Sequence, residues 1–124
     1  MKPSEIVAID AQTNGYGMNV KQLAGLIMAM KDKGWKTMQD GDTLFLFQNK
    51  DNKGTIEFIM MVGDEQTASK SCQKFFKMLK KAGAKQVVCE YLNPAFTQIF
   101  KRLGSNYIPS FGKTENELTM KVRL

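Results

Sequence analysis

The chain contains no histidine, so any chemistry it performs must use carboxylates, phenols, thiols, lysines or backbone groups. That absence removes Ser-His-Asp and Cys-His catalysis, histidine metal ligation and histidine pH switching. Two cysteines, Cys72 and Cys89, are too few for a disulfide framework or a four-cysteine zinc site. Both read as core residues, and no nucleophilic role follows, because a reactive thiolate needs an activating environment. The 18 basic residues outnumber the 12 acidic ones and leave a formal charge of +6. All the basic residues except Arg102 and Arg123 are lysine. Arginine is the usual residue for bidentate phosphate and base contacts. Its scarcity argues for a solvated lysine surface and against nucleic acid as the partner.

The elements that must position such groups fit one domain, residues 1–124. A composition of 43% apolar and 24% charged residues is that of a globular chain with a real core. No apolar run approaches the ~18 residues of a membrane span. The start, Met1-Lys2-Pro3-Ser4-Glu5, lacks a charged-then-apolar leader, so a cytoplasmic location is expected.

Ile6–Ile9 reads as a short strand, followed by a polar, glycine-bearing stretch from Asp10 to Gly17. Asn19 fits an N-cap for a helix to about Lys33, with Val20, Leu23, Ile27 and Met30 on one face and Gly34 at C′. A meander of three strands follows: Trp35–Gln39, an Asp40-Gly41 turn, Thr43–Gln48, a polar turn, and Thr55–Val62. Thr43–Gln48 is apolar on both faces and so should be internal. Gly63–Ser69 reads as a loop. A helix from about Lys70 to Ala82 then sets Cys72, Phe75, Phe76 and Leu79 against Lys70, Lys74, Lys77 and Lys81. Gln86–Glu90 is a strand, and Asn93-Pro94 opens a further helix that Gly104 closes. Tyr107–Phe111 is a strand. In Glu117–Leu124, Leu118, Met120, Val122 and Leu124 alternate inward. The total order is β-α-β-β-β-α-β-α-β-β. About two dozen residues with a helical centre separate Thr55–Val62 from Gln86–Glu90, which predicts a parallel pair with a helical crossover.

This order resembles the GNAT superfamily of acetyl-CoA-dependent N-acetyltransferases, an α/β fold with one mixed sheet split like an open V. The resemblance covers about Ile6 to Leu124, with one helix where the family commonly has two near the N-terminus. Its most specific piece is Asn93-Pro-Ala-Phe-Thr-Gln-Ile-Phe-Lys-Arg-Leu-Gly104, similar to the family's asparagine-helix-glycine segment after the fifth strand. The resemblance implies that acetyl-CoA lies in the split between Thr55–Val62 and Gln86–Glu90, with Asn93 lining the pantetheine side.

The family's pyrophosphate motif, Gln/Arg-x-x-Gly-x-Gly/Ala, corresponds here to Gln66-Thr67-Ala68-Ser69-Lys70-Ser71. The resemblance therefore implies cofactor contacts from Val62, Gln66, Ala68, Ser69, Lys70 and Ser71, through backbone N–H groups at a helix start. Both small positions are serine, whose Cβ keeps the backbone farther from a phosphate than glycine would. Lys70 adds charge that offsets this. The implied general base is Glu57, in mid-strand between Ile56 and Phe58, with Glu90 a second catalytic candidate. The family's usual acid, a tyrosine on the helix after the fifth strand, corresponds to Phe100, which has no proton to give. Tyr91 and Tyr107 are the alternatives, and spacing selects neither.

Two functions follow from the resemblance. One is acetyl transfer from acetyl-CoA to an amine. The other is a catalytically degenerate binding or structural protein that acts through a protein partner. Short GNAT-like chains with eroded loops also resemble proteins of tailed bacteriophages, which implies a place in the host cytoplasm or the virion. Nucleic-acid binding through the lysine face is the least supported reading.

Overall fold

The computed structural model describes residues 20–62, 65–91, 94–114 and 117–124. The expected strand at Ile6–Ile9 and the caps at Asn19 and Asn93 lie outside the described residues. Within them the elements are α1 (Val20–Asp32), β1 (Lys36–Asp40), β2 (Thr43–Asn49), β3 (Thr55–Met61), α2 (Glu65–Lys81), β4 (Gln86–Tyr91), α3 (Ala95–Lys101), β5 (Pro109–Thr114) and β6 (Glu117–Arg123). That is the expected order from the first helix onward. The six strands form one mixed sheet in the order β1-β2-β3-β4-β6-β5. Every neighbouring pair is antiparallel except β3 and β4, which are parallel with α2 as the crossover. β2 is internal, as its two apolar faces require.

The sheet carries unequal layers on its two faces. On one, Phe45, Phe58, Met60, Val62, Val87, Cys89, Tyr91, Met120 and Val122 pack against Cys72, Phe75, Phe76 and Leu79 of α2 and Phe96, Ile99 and Phe100 of α3. Phe75 stacks on Phe45 at 4.3 Å, and Phe58 meets Phe75, Phe76 and Phe100 edge-on at 5.4, 5.7 and 6.4 Å. On the other face, Leu44, Leu46 and Met61 are buried with Ile27 of α1, flanked by Met30, Trp35 and Ile59. Lys70, Lys74, Lys77 and Lys81 are exposed on the outer side of α2, so the amphipathic reading of that helix holds.

Two helices end as the glycines predict. Gly34 and Gly83 have φ of +100° and +99°, a region that costs a side chain energy but not glycine. Trp35 N–H bonds Met30 C=O and Gly34 N–H bonds Lys31 C=O, and Ala84 and Gly83 repeat this on Leu79 and Lys80. Both are Schellman ends.

Several boundaries differ from the sequence reading, among them β5, which runs Pro109–Thr114 and not Tyr107–Phe111, so that Tyr107 precedes the strand. The hairpin turn is Gly41-Asp42, because Asp40 still pairs with Thr43 in the ladder. Gly104 is not a left-handed C′ residue: α3 closes earlier through tight bonds from Arg102 N–H to Ile99 C=O and Leu103 N–H to Phe100 C=O. A Cβ on Gly104 would lie 3.3 Å from the Gln73 amide, so glycine serves close approach to α2 instead. Finally, α2 starts at Glu65, not near Lys70. Serine and threonine favour loops and caps because they compete for backbone bonds. Here Ser69 and Ser71 have tertiary partners, and burial of Ala68 and Cys72 favours the helix.

Candidate functional site

β3 and β4 are joined by only three residue pairs, Thr55↔Gln86, Ile56↔Val87 and Glu57↔Val88. Yet β3 continues to Met61 and β4 to Tyr91. Past Glu57 no ladder joins the two strands, and a cavity of about 500 Å3 occupies the gap. Side chains alternate across a strand, so the gap draws its walls from both faces of the sheet. From the helix-packed face come Phe58, Met60, Cys89, Tyr91, Phe96 and Met120, all buried. From the opposite face come Ile59, Val88 and Trp35 together with Lys50, Glu57, Glu90, Thr119 and Lys121. One mouth therefore carries all the charged groups of the lining, set among Trp35, Ile59 and Val88, and the other side is apolar apart from the Tyr91 hydroxyl.

Glu57 is half-buried at the last paired row, where the strands begin to part. The Gln48 side-chain amide, directly opposite on β2, donates to its Oε1. That bond orients the carboxylate. Glu90 is exposed on the same face of β4, two residues beyond Val88. The two carboxylates thus stand on either side of the gap.

The phenols separate cleanly. Tyr91 lines the cavity, buried, and its hydroxyl shares a 2.8 Å hydrogen bond with Thr97 Oγ1 of α3. Tyr107 packs edge-on against Phe76 at 5.4 Å and faces a different groove. Phe100 is fully buried and meets Tyr91 edge-on at 5.2 Å. Sequence spacing could not select between the tyrosines. The strand alternation that turns Val87, Cys89 and Tyr91 to one face does.

Both cysteines are buried, as expected. Burial, with Glu90 adding to it, pushes the Cys89 thiol far above its ordinary value. Cys89 reaches the cavity as a neutral thiol, not as a nucleophile. Burial does the same to Cys72, which is not among the cavity's lining residues and contacts the Met60 sulfur at 3.2 Å.

The expected cofactor loop is helix. Val62 is buried at the end of β3. Gln66, Ala68, Ser69, Lys70 and Ser71 occupy the first two turns of α2. Ser69 Oγ donates to Ile99 C=O at 2.8 Å, and Ser71 Oγ donates to Asp40 Oδ2 at 2.7 Å. Lys74 Nζ stands 3.4 Å from Asp40 Oδ1. The Ser71 bond, helped by Lys74 and opposed by partial desolvation, holds the Asp40 carboxyl below its ordinary range. The serine hydroxyls therefore tie α2 to α3 and β1. Gln66 and Lys70 are exposed. A helix directs the N–H groups of its first turn outward along its axis, and in α2 that turn begins at Glu65.

Of the residues named from sequence, Glu57 and Glu90 face the gap from its two sides, Val62 follows β3, and Gln66 to Ser71 lie in α2. Asn93 lies outside the described residues. Thr119 and Lys121 escaped sequence reasoning because nothing local signals that β6 inserts between β4 and β5, and Trp35 and Lys50, beside the ends of β1 and β2, because nothing local ties those ends to the gap.

Similar folds are known among solved structures. A domain from Methanocaldococcus jannaschii superposes with a TM-score of 0.63 at 15% identity, covering 98% of this chain and 92% of that one. A structure from Desulfovibrio desulfuricans assigned to the GNAT acetyltransferases gives 0.62 at 12% identity, covering 98% and 91%. A Salmonella typhimurium structure with its cofactor acetyl-CoA gives 0.57 at 12% identity, covering 100% and 90%. No family model and no curated protein matches the sequence. The chain has the fold of the GNAT acetyltransferases, and its described residues form a mixed sheet of six strands parted between its parallel neighbours.

Proposed function

We propose that this protein transfers an acyl group, acetyl in the simplest case, from an acyl-CoA to an amine. The observation that carries the reading is the parting of β3 and β4 immediately beyond Glu57, which leaves a cavity of about 500 Å3 between two carboxylates and a buried phenol. Acetyl-CoA would supply the activated thioester. The gap suits its pantetheine arm, since Phe58, Met60 and Phe96 give an apolar wall between strand edges that can bond an amide. Its diphosphate would meet the first turn of α2, where helix N–H groups favour anions, with the positive charge of Lys70 one turn further on.

Glu57 accepts the amine proton, held at the gap by Gln48. Tyr91 holds a proton at the apolar side and delivers it to the departing sulfur, with Thr97 as its hydrogen-bonding neighbour. A positioned base or acid contributes on the order of 10²–10⁴-fold.

A second reading has specific support. Phe100 fills the family's acid position, and Ser69 and Ser71 are committed to internal bonds. Both features fit a scaffold that binds a protein partner after losing its chemistry. Calorimetry with acetyl-CoA separates the two. The acyltransferase reading expects saturable heat, weakened in Lys70→Glu and retained in Glu57→Gln, and CoA release that Glu57→Gln abolishes. An absence of heat at millimolar acetyl-CoA leaves the scaffold reading.

A further inference from the structure

The polar mouth of the gap is not simply acidic. Glu57 and Glu90 flank it, but Lys50 and Lys121 line it too. Strand register sets their order. Gln48, Glu57, Val88 and Lys121 form one row across β2, β3, β4 and β6, and Glu90 and Thr119 pair two residues further along β4, on the same face. Interstrand spacing is ~4.8 Å, so Glu57 and Lys121 stand ~10 Å apart at their Cα atoms. Glu90 and Lys121 are diagonal neighbours at ~7–8 Å. Among the described residues, Lys50, Lys121 and Glu90 form no ion pair within 4.0 Å, whereas Lys74 pairs with Asp40. The mouth therefore presents both signs of charge to whatever enters.

We propose that the acceptor is a zwitterionic amine of the α-amino-acid class, an amino group with a carboxylate or similar anion a few bonds away. This rests on the acyl-CoA reading above. Two carboxylates alone would suit any cation, including a polyamine. The lysines on both sides oppose a second positive charge and attract an anion. The amino group lies over the gap between Glu57 and Glu90, where the thioester would be. The anion is taken by Lys121, which neighbours Glu90 on β6. Trp35, half-buried at the rim, gives the acceptor's side chain an aromatic wall.

The test compares leucine with isopentylamine and phenylalanine with phenethylamine, pairs that differ by the carboxylate alone. CoA release from acetyl-CoA is followed in wild type, Lys121→Gln and the control Lys77→Gln, whose lysine is on the exposed face of α2. The proposal expects kcat/KM at least tenfold higher for the amino acid in each pair. That ratio should collapse toward one in Lys121→Gln and persist in Lys77→Gln. Equal or inverted preference, or a ratio untouched in Lys121→Gln, overturns the proposal while acetyl transfer stands. Acetyl-CoA binding with no transfer to any of the four amines, and no binding of leucine or phenylalanine to the CoA-saturated protein, also overturns it alone. A protein that binds no acetyl-CoA loses the acyltransferase reading and this inference together.

Discussion

Replacing Ser69 by glycine should destabilise the protein, and the size of the loss distinguishes a helical role from a cofactor loop. Ser69 is buried in the second turn of α2, and its hydroxyl bonds Ile99 C=O at 2.8 Å. A net hydrogen bond is worth about 1 kcal/mol. Ile99 C=O keeps a second donor, Arg102 N–H at 3.2 Å, so the carbonyl is not orphaned and the loss stays near that figure. Ser69→Ala removes the bond and nothing else, so about 1 kcal/mol is expected. Ser69→Gly adds the helix-interior penalty of glycine, about 1 kcal/mol relative to alanine, for about 2 in all. At this chain length 1 kcal/mol moves Tm by roughly 4 °C, so the two variants should melt roughly 4 and 8 °C below wild type. Circular dichroism melts and urea titrations measure both. A phosphate-cradling loop predicts the reverse: glycine tolerated, with acetyl-CoA bound as well or better. Ser69→Gly that melts with wild type and gains acetyl-CoA affinity would refute the helical assignment of this segment.

Other consequences follow from single contacts. Asp40 is held below its ordinary range in the fold, so its stabilisation is complete above the unfolded carboxyl value near 4 and fades as pH falls through the lowered folded value. The stability gap between wild type and Asp40→Asn should thus be constant at neutral pH and shrink in acid, which urea titrations at stepped pH would show. Phe58→Ala should cost 3–5 kcal/mol by the usual scale of buried aromatic truncations, since Phe58 meets three other rings across α2 and α3. Cys72 and Cys89 should react with a thiol reagent only in denaturant. Fast native-state labelling of either would contradict their burial. Tyr91→Phe should lower kcat at least tenfold while leaving acetyl-CoA affinity close to wild type. Its effect should be smaller than that of Glu57→Gln, because a thiolate leaves without a strong acid. Unchanged kcat would remove Tyr91 from the mechanism.

Some of this architecture is legible from local pattern alone. The alternation of Glu117–Leu124 has the period of a strand, and in the fold Met120 and Val122 are buried while Lys121 and Arg123 are exposed. The stretch between β3 and β4 is long enough for a crossover, and they are parallel. Gly34 and Gly83 end helices by a rule that depends on five or six residues. What local pattern could not supply is any property set by a distant partner. The serines of α2 look like loop residues until Ile99 C=O and Asp40 are in place to receive their hydroxyls. Gly104 looks like a helix stop until Gln73 crosses it. The tyrosines look equivalent until the faces of β4 are known.

The same distinction governs the site. Glu57 is singled out through the family resemblance, which implies a carboxylate in mid-strand, and β3 carries it to the gap. Its environment was not accessible, because that depends on which strands stand beside it. Placing β6 next to β4, with β5 outside it, brings Lys121 and Thr119 to the mouth of the gap. Had β5 taken the inner place, its own side chains would line that mouth. Glu57, the proposed base, lies on one strand, but Lys121 and Thr119 come from a hairpin whose order in the sheet no local rule determines. The proposed reaction and its proposed specificity thus draw on different parts of the chain. On the proposed reading, a substitution on β6 should therefore alter the choice of amine without touching Glu57 on β3.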